Sequence, residues 1–162
     1  MELLKYAVVI GAGATAVMDL WAVCLRHCCR VTSLDYALLG RWIGHFPRGR
    51  FVHQSIAKAS PVHGERIIGW SAHYAIGIVF AWLLLTVWGL EWARRPSLAP
   101  ALITSSVTLV APFFIMQPGM GAGIAASKTP HPNVARLRSI ATHTVYGIGL
   151  YVSAWLCSRL TA

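Results

Sequence analysis

The chain has 162 residues, of which 56% are hydrophobic and only 12% are charged, and its formal net charge is +9. An ordinary soluble domain carries roughly 25% charged residues, so this composition argues against a soluble enzyme or binding domain. The positive mean hydropathy of +0.58 arises because the apolar residues are gathered into four runs, each close to the ~20 residues that cross a bilayer.

Four membrane spans are predicted from these runs, at residues 3–25, 67–90, 98–117 and 140–160. Each run should be helical, because lipid offers no partner to backbone N–H and C=O groups that lie outside a helix or a closed barrel. We therefore expect an all-α fold, an integral membrane four-helix bundle, with residues 1–162 forming a single transmembrane domain.

The linker between the first two spans, residues 26–66, has a pattern of its own. Residues 33–39 resemble a capped helix start and lead into an aromatic and basic mixture at 41–43, which is typical of helices that lie on a membrane surface. Residues 44–50 then interrupt the helix, and residues 51–59 can form a second short helix. The sequence thus predicts short interfacial helices in this linker.

Basic residues are concentrated in the two long linkers, 26–66 and 118–139, which hold ten Lys and Arg residues, whereas the rest of the chain holds four. The positive-inside rule therefore places both linkers in the cytoplasm and both termini outside. Because topology accounts for the positive charge, we do not expect a nucleic-acid partner.

Three ionisable residues lie inside the predicted spans: Asp19, His73 and His143. The alternating direction of the helices brings them to a common depth, roughly 5–10 Å below the cytoplasmic surface at a rise of 1.5 Å per residue. Further polar side chains are close enough in sequence to join this layer, namely Tyr74, Tyr146 and Gln117.

The polar layer has three interpretations that the sequence leaves open. It can serve only to fix the register of the helices. It can line a cytoplasm-facing pocket that moves or senses a proton or a small solute, since ionisable groups in membrane helices usually mark function. It can also hold a metal ion in a membrane enzyme, although no nucleophile or general base stands beside it, and the sequence assigns no cofactor.

A second function hypothesis concerns the cytoplasmic linkers. Their basic and imidazole side chains would make the protein a scaffold or assembly factor that docks a partner or anionic lipid headgroups. The residues expected on this surface are His45, Arg48, Arg50, His53 and Lys128. Because four helices are a narrow scaffold for a complete permease, association into a homo-oligomer is a further expectation.

Several short motifs along the chain resemble a known family. They include the stretches at residues 44–53 and 64–74, the segment 117–121, the segment 126–130 and His143 with Tyr146 and Gly147. On these residues the chain resembles bacterial domain-of-unknown-function family 2938, a family of small predicted inner-membrane proteins, over nearly its whole length. The resemblance implies a multi-pass protein of the bacterial inner membrane, so that the termini are expected in the periplasm, and it supplies no activity, substrate or catalytic residue.

Overall fold

The computed structural model describes residues 1–31 and 35–160, and every regular element in these residues is a helix. The prediction of an all-α protein is therefore confirmed for the described part of the chain. The longer helices are α1 (Glu2–Cys29), α2 (Tyr36–Gly44), α3 (Glu65–Arg94), α4 (Leu98–Thr108, extended to Gly119) and α5 (Pro132–Leu160).

Three of these helices are long and apolar enough to cross a membrane: α1, α3 and the stretch Leu98–Gly119 that contains α4. They coincide with the first three predicted spans and are consistent with a membrane protein. The fourth predicted span, 140–160, is helical within α5 but does not reach the same apolarity. The N-terminal half of this span carries four polar side chains, Thr142, His143, Thr144 and Tyr146, which lower its mean hydropathy.

The extension of α4 is irregular. The helix widens into a π-helical segment at Pro112–Met116 before a last turn at Gln117–Gly119. Proline has no N–H to donate and its ring crowds the preceding turn, so a wider turn is a common way to keep such a helix continuous. The irregular stretch leads directly into the glycine-rich segment 119–123.

The chain divides into two compact units. The first, which we call the bundle unit, comprises Met1–Ser33, Tyr74–Thr108 and Ala141–Ala162. Its core includes the fully buried side chains of Ile10, Leu84 and Leu150. Small residues bring its helices together: a Cβ added at Gly11 would lie 2.6 Å from the Cα of Ile78. Such close backbone contact is the usual basis of helix association in lipid, which provides no hydrophobic drive between helices.

The second, the linker unit, comprises Leu34–His73 and Leu109–Ile140. Its helix α2 begins at Tyr36, where the side chain of Asp35 accepts a hydrogen bond of 2.9 Å from the backbone N–H of Ala37. Ser33, the predicted start of the capped helix, lies outside the described residues. The predicted break after α2 is present as a 3-10 turn at Phe46–Arg48.

The prediction of a second short helix at residues 51–59 is wrong. Only one 3-10 turn forms there, at Ile56–Lys58, and the residues before it are extended. The physical reason is that this segment bonds to a distant part of the chain: the N–H of His53 donates to Gly119 O (2.9 Å), and that of Ile56 donates to Met120 O (3.0 Å). These backbone bonds replace the ones that a helix would make within itself.

A small core holds the linker unit together. Trp42 is buried, its ring lies against Gly119, and its Nε1–H donates a 2.7 Å hydrogen bond to the carbonyl of Phe51. Leu39, Ile56 and Met120 complete the buried cluster. The glycine-rich segment after α4 thus serves close packing against the first linker.

Candidate functional site

Arg41 on α2 contacts two other segments of the linker unit, the start of α3 and the turn around residues 56–59. Its guanidinium makes a two-pronged ion pair with Glu65 at the start of α3, with Nε to Oε2 at 2.8 Å and Nη2 to Oε1 at 2.7 Å. Hydrogen bonding to Glu65 raises the pKa of Arg41 above its already high usual value. The remaining nitrogen, Nη1, donates to the backbone carbonyls of Ala57 (3.3 Å) and Ala59 (3.2 Å). Arg41 therefore fixes the position of the segment around residues 56–59.

Glu65 is held from a second side. Its Oε2 also accepts the backbone N–H of Val62 at 3.0 Å, so the carboxylate closes the turn that precedes α3. Paired, forked hydrogen bonds between guanidinium and carboxylate are among the strongest that proteins make, and they also fix geometry. No sequence pattern indicates this pair, because Arg41 and Glu65 are 24 positions apart and both occur in an ordinary polar linker.

His45 and His53 form a direct pair, which we call the histidine pair. The Nδ1 of His45 lies 2.8 Å from the Nε2 of His53, and the two rings are stacked with centroids 4.9 Å apart. His45 is only 2% exposed, and this burial, reinforced by the neighbouring His53, lowers its pKa below the usual histidine value. His53 is half-buried, and its Nδ1 faces the carbonyl of Gly119 at 3.4 Å.

The histidine pair forms one wall of an open recess of about 330 Å³ in the linker unit. Arg50 and Lys58, both exposed, bring cationic groups to its lining. The other lining residues are neutral: Gln54, Ser55, Ala59 and Ser60. Among the described residues that line the recess none is acidic, so the site has the charge and the hydrogen-bond donors to receive an anion.

The linker surface predicted from the sequence is only partly brought together in this recess. His45, Arg50 and His53 line it, whereas Arg48 and Lys128 are exposed and are not part of its lining. Lys58 was missed by the sequence reasoning. Its place depends on the 3-10 turn that Arg41 holds, and no periodic pattern or motif marks that turn in the sequence.

The residues of the predicted intramembrane layer fall in both units. In the bundle unit, the hydroxyl of Tyr74 donates a 3.0 Å hydrogen bond to Oδ2 of Asp19, and the buried hydroxyl of Tyr146 donates to the carbonyl of Gly77 at 2.6 Å. His143 lies half-buried on α5 in the same unit. The sequence places Tyr74 near the layer, and the structure identifies it as a direct partner of Asp19.

His73 and Gln117 belong to the linker unit. The ring of His73 is buried and stacks on Tyr36 with centroids 4.0 Å apart, while Trp70 contacts its edge. Sequence reasoning missed Tyr36, which precedes His73 by 37 positions. Gln117 donates from Nε2 to Ser139 Oγ at 3.3 Å, and its buried Oε1 has no hydrogen-bond partner among the described residues.

The sequence leaves open a metal ion held by two histidines and an aspartate. Within residues 1–31 and 35–160, no group of three or more His, Cys, Asp or Glu side chains is arranged to hold a metal ion. Two cysteine sulfur atoms, Cys24 Sγ and Cys28 Sγ, lie 4.0 Å apart on successive turns of α1, and both thiols are free and exposed.

Comparison with known proteins assigns the chain to a family. Residues 8–157 match the model of the family described as Protein of unknown function (DUF2938). The chain belongs to this family. The match confirms the resemblance seen in the sequence motifs, and it covers both the bundle unit and the linker unit of this DUF2938 member. No match was found among curated proteins or among solved structures.

Proposed function

We propose that this DUF2938 member is a four-span protein of the bacterial inner membrane whose linker unit binds an anionic lipid headgroup at the cytoplasmic surface. The observation that carries the proposal is the recess lined by Arg50, Lys58 and the histidine pair. A phosphate group carried by a lipid offers several acceptor oxygens to these donors, and the cytoplasmic leaflet is rich in anionic lipid.

The distribution of charge supports the same location. The linker unit contains eight Lys and Arg residues and only two acids, Asp35 and Glu65, of which Glu65 is already paired with Arg41. Positive charge close to the membrane is attracted to anionic lipid by about 1 kcal/mol per residue. A linker unit with this surplus is suited to the cytoplasmic side of the membrane, with the termini in the periplasm.

Reporter fusions test the orientation. Alkaline phosphatase fused to the C-terminus is active only in the periplasm, and a green fluorescent protein exported unfolded to that side does not fluoresce. We expect an active phosphatase fusion and a dark fluorescent one. The reverse result would contradict both the four-span count with periplasmic termini and the cytoplasmic location of the linker unit.

Binding of the headgroup is tested with the full chain purified in mild detergent. Titration with short-chain phosphatidylglycerol should give saturable binding, and phosphatidylcholine should bind much more weakly because its headgroup has no net charge. In the double variant Arg50→Gln with Lys58→Gln, we expect the affinity for phosphatidylglycerol to fall roughly thirtyfold, from two lost contacts of about 1 kcal/mol each.

A matched control removes the same charge elsewhere. Arg48→Gln with Lys128→Gln also deletes two exposed cations of the linker unit, but neither residue lines the recess. We expect this variant to bind phosphatidylglycerol within about threefold of the unmodified protein, since only long-range attraction is lost. Equal losses in the two double variants would show that net charge, and not the recess, determines binding.

A second candidate function, the handling of a proton or small solute, is favoured by the hydrogen bond between Asp19 and Tyr74. A carboxylate within a membrane helix is a functional hypothesis by default. In vesicles with a pH-sensitive dye, Asp19→Asn should reduce proton or solute flux, whereas Glu91→Gln, an exposed acid of the same unit, should not. Equal flux in the unmodified protein and in both variants would rule this function out.

A further inference from the structure

Six consecutive residues, 47–52, are exposed at the 3-10 turn after α2 and just beyond it, and we call them the loop tip. Its two large apolar side chains are adjacent in the chain: Phe51 is 56% exposed and Val52 is 75% exposed. The loop tip belongs to the linker unit and lies outside the three helices that are apolar enough to cross a membrane. A membrane span therefore does not account for the exposure of these two side chains.

The backbone of the loop tip is fixed on both sides of the apolar pair. The carbonyl of Phe51 accepts the 2.7 Å hydrogen bond from the indole of Trp42, and the N–H of His53, the next residue after the tip, donates to Gly119 O at 2.9 Å. The turn within the tip uses Gly49, whose φ of 68° lies in the left-handed region that favours glycine. A binding partner therefore meets a loop that is already ordered, which lowers the entropic cost of association.

The charges around the loop tip are all of one sign. The segment 36–64 contains four Lys and Arg residues and no acidic residue. One of the four, Arg41, is engaged in the ion pair within the linker unit, whereas Arg48, Arg50 and Lys58 are exposed. Apolar side chains flanked by cations are complementary to a membrane surface, which is anionic at the headgroups and apolar beneath them.

The loop tip is continuous with the recess. Arg50 precedes Phe51 and lines the recess, and His53 follows Val52 and also lines it. Neighbouring Cα atoms are about 3.8 Å apart, so each apolar residue is one step along the chain from a lining residue. A phosphate that belongs to a lipid has acyl chains close by, and these chains can contact the apolar pair. A soluble anion brings no such apolar group.

We propose that Phe51 and Val52 insert among the acyl chains of the cytoplasmic leaflet, beside an anionic lipid whose headgroup occupies the recess. This inference rests on the proposed binding of a headgroup and assigns a second, apolar contact to the same lipid. Burial of apolar surface is favourable and has little directional preference, so the loop tip adds affinity for any membrane, whereas the cations of the recess select for negative charge.

Spin labelling of the full-length chain measures the depth of the loop tip. The native cysteines are replaced by serine, Val52→Cys carries the nitroxide, and the protein is reconstituted in vesicles of phosphatidylcholine and phosphatidylglycerol. Oxygen is concentrated in lipid, and a nickel chelate, present on both sides of the vesicle, stays in water. We expect the label at Val52 to collide mainly with oxygen, at a depth of about 5 to 10 Å. The same label at Ala57→Cys, an exposed position of the linker unit outside the loop tip, should collide mainly with nickel.

A binding measurement separates the apolar contact from the charged one. The full-length protein is held in an amphipathic polymer, so that no detergent competes for the loop tip. It is titrated with short-chain phosphatidylglycerol and with glycerophosphoglycerol, the same headgroup without acyl chains. In Phe51→Ser with Val52→Ser, we expect the affinity for the lipid to fall about tenfold to thirtyfold and that for the headgroup to change less than about twofold.

The matched control is Ile124→Ser, which removes an apolar side chain that is 58% exposed in the same unit but outside the loop tip. We expect this variant to bind both ligands as the unmodified protein does. The ring of Phe51 contacts Phe46, so its loss can disturb the local fold. If the double variant does not fold, Val52→Ser alone should still weaken binding of the lipid several-fold and leave binding of the headgroup unchanged.

The outcomes separate this inference from the function on which it rests. A label at Val52 that is as accessible to nickel as the label at Ala57 would overturn the inference, leave headgroup binding intact and free the loop tip for a protein partner. Equal losses of lipid and headgroup affinity in the serine variants would also overturn it, because the recess itself would then have changed. Failure of the unmodified protein to bind either ligand would overturn the proposed function, a result that does not depend on the depth of Val52.

Discussion

The bundle unit and the linker unit are held together by different kinds of contact. In the bundle unit, glycines allow helices to touch backbone to backbone, and buried aliphatic side chains fill the centre. In the linker unit, a forked ion pair and backbone hydrogen bonds between distant segments fix short, irregular pieces of chain. The comparison indicates that the linkers form a specific structure of their own, and that polar contacts determine it.

The largest expected effect comes from breaking the ion pair of the linker unit. Arg41→Met removes every contact of the guanidinium and leaves Glu65 partly buried without its partner, which should destabilise the linker unit by about 2 to 4 kcal/mol. Hydrogen exchange measured by mass spectrometry should show faster exchange in residues 50–60 and unchanged protection in α1. Faster exchange in both units would show that they do not differ in the way proposed.

A somewhat smaller effect is expected from disturbing the close contact between helices in the bundle unit. Gly11→Val adds a Cβ only 2.6 Å from the Cα of Ile78 and two methyl groups beyond it, so the helices must separate, at a cost of about 1 to 3 kcal/mol. Unfolding in a mixed-detergent titration measures the loss. The control is Ala12→Val, which adds bulk at the next, half-buried position of α1 and should cost clearly less. Equal losses in the two variants would show that the close contact at Gly11 has no special weight.

Acidification sharpens the comparison, because His45, whose side chain is buried, lies in the linker unit. The pKa of His45 is lowered in the folded state, so the unfolded chain binds the proton more readily. The contribution of neutral His45 to stability is therefore complete above its unfolded pKa of about 6.5 and declines as the pH falls below that value. In a chain whose other tryptophans are replaced, the fluorescence of Trp42 should report that the linker unit loosens as the pH falls below that value. His45→Gln should remove this pH dependence.

The smallest effect is expected from Tyr146→Phe in the bundle unit. The change deletes the buried hydrogen bond to Gly77 O without altering packing, and such bonds between membrane helices contribute on average about 0.6 kcal/mol. The same detergent titration that measures Gly11→Val should resolve this loss. A loss as large as that of Gly11→Val would mean that polar contacts matter equally in both units, contrary to the comparison.

The sequence was sufficient for those parts of the fold that depend on local composition. The apolar runs predicted helices at α1, α3 and α4, since each is decided by about twenty consecutive residues. The sequence predicted the fourth span on the same footing, but the polar residues around His143 lower the apolarity of α5 without preventing a helix, and α5 is not among the helices apolar enough to cross a membrane. The helix start near α2 was also recognised, as a polar cap followed by apolar residues.

The candidate site could be predicted only in part, because its geometry depends on contacts between distant positions. His45, Arg50 and His53 stood out as basic or imidazole residues of one linker. Their arrangement depends on Gly119, which lies 66 residues beyond His53, and on Arg41, which holds the turn that carries Lys58. Hydrogen bonds to backbone carbonyls leave no pattern in the sequence, since every residue has such a carbonyl.

The hydrogen bonds from His53 and Ile56 to Gly119 and Met120 also set an order of events during synthesis. At about 5 to 20 residues per second, a ribosome needs several seconds to extend the chain by the 66 positions from His53 to Gly119. Throughout that interval the first linker has been made but its backbone partners do not exist. A chain interrupted after α3 would therefore contain every residue that lines the recess but lack the backbone partners that hold His53 and Ile56 in place.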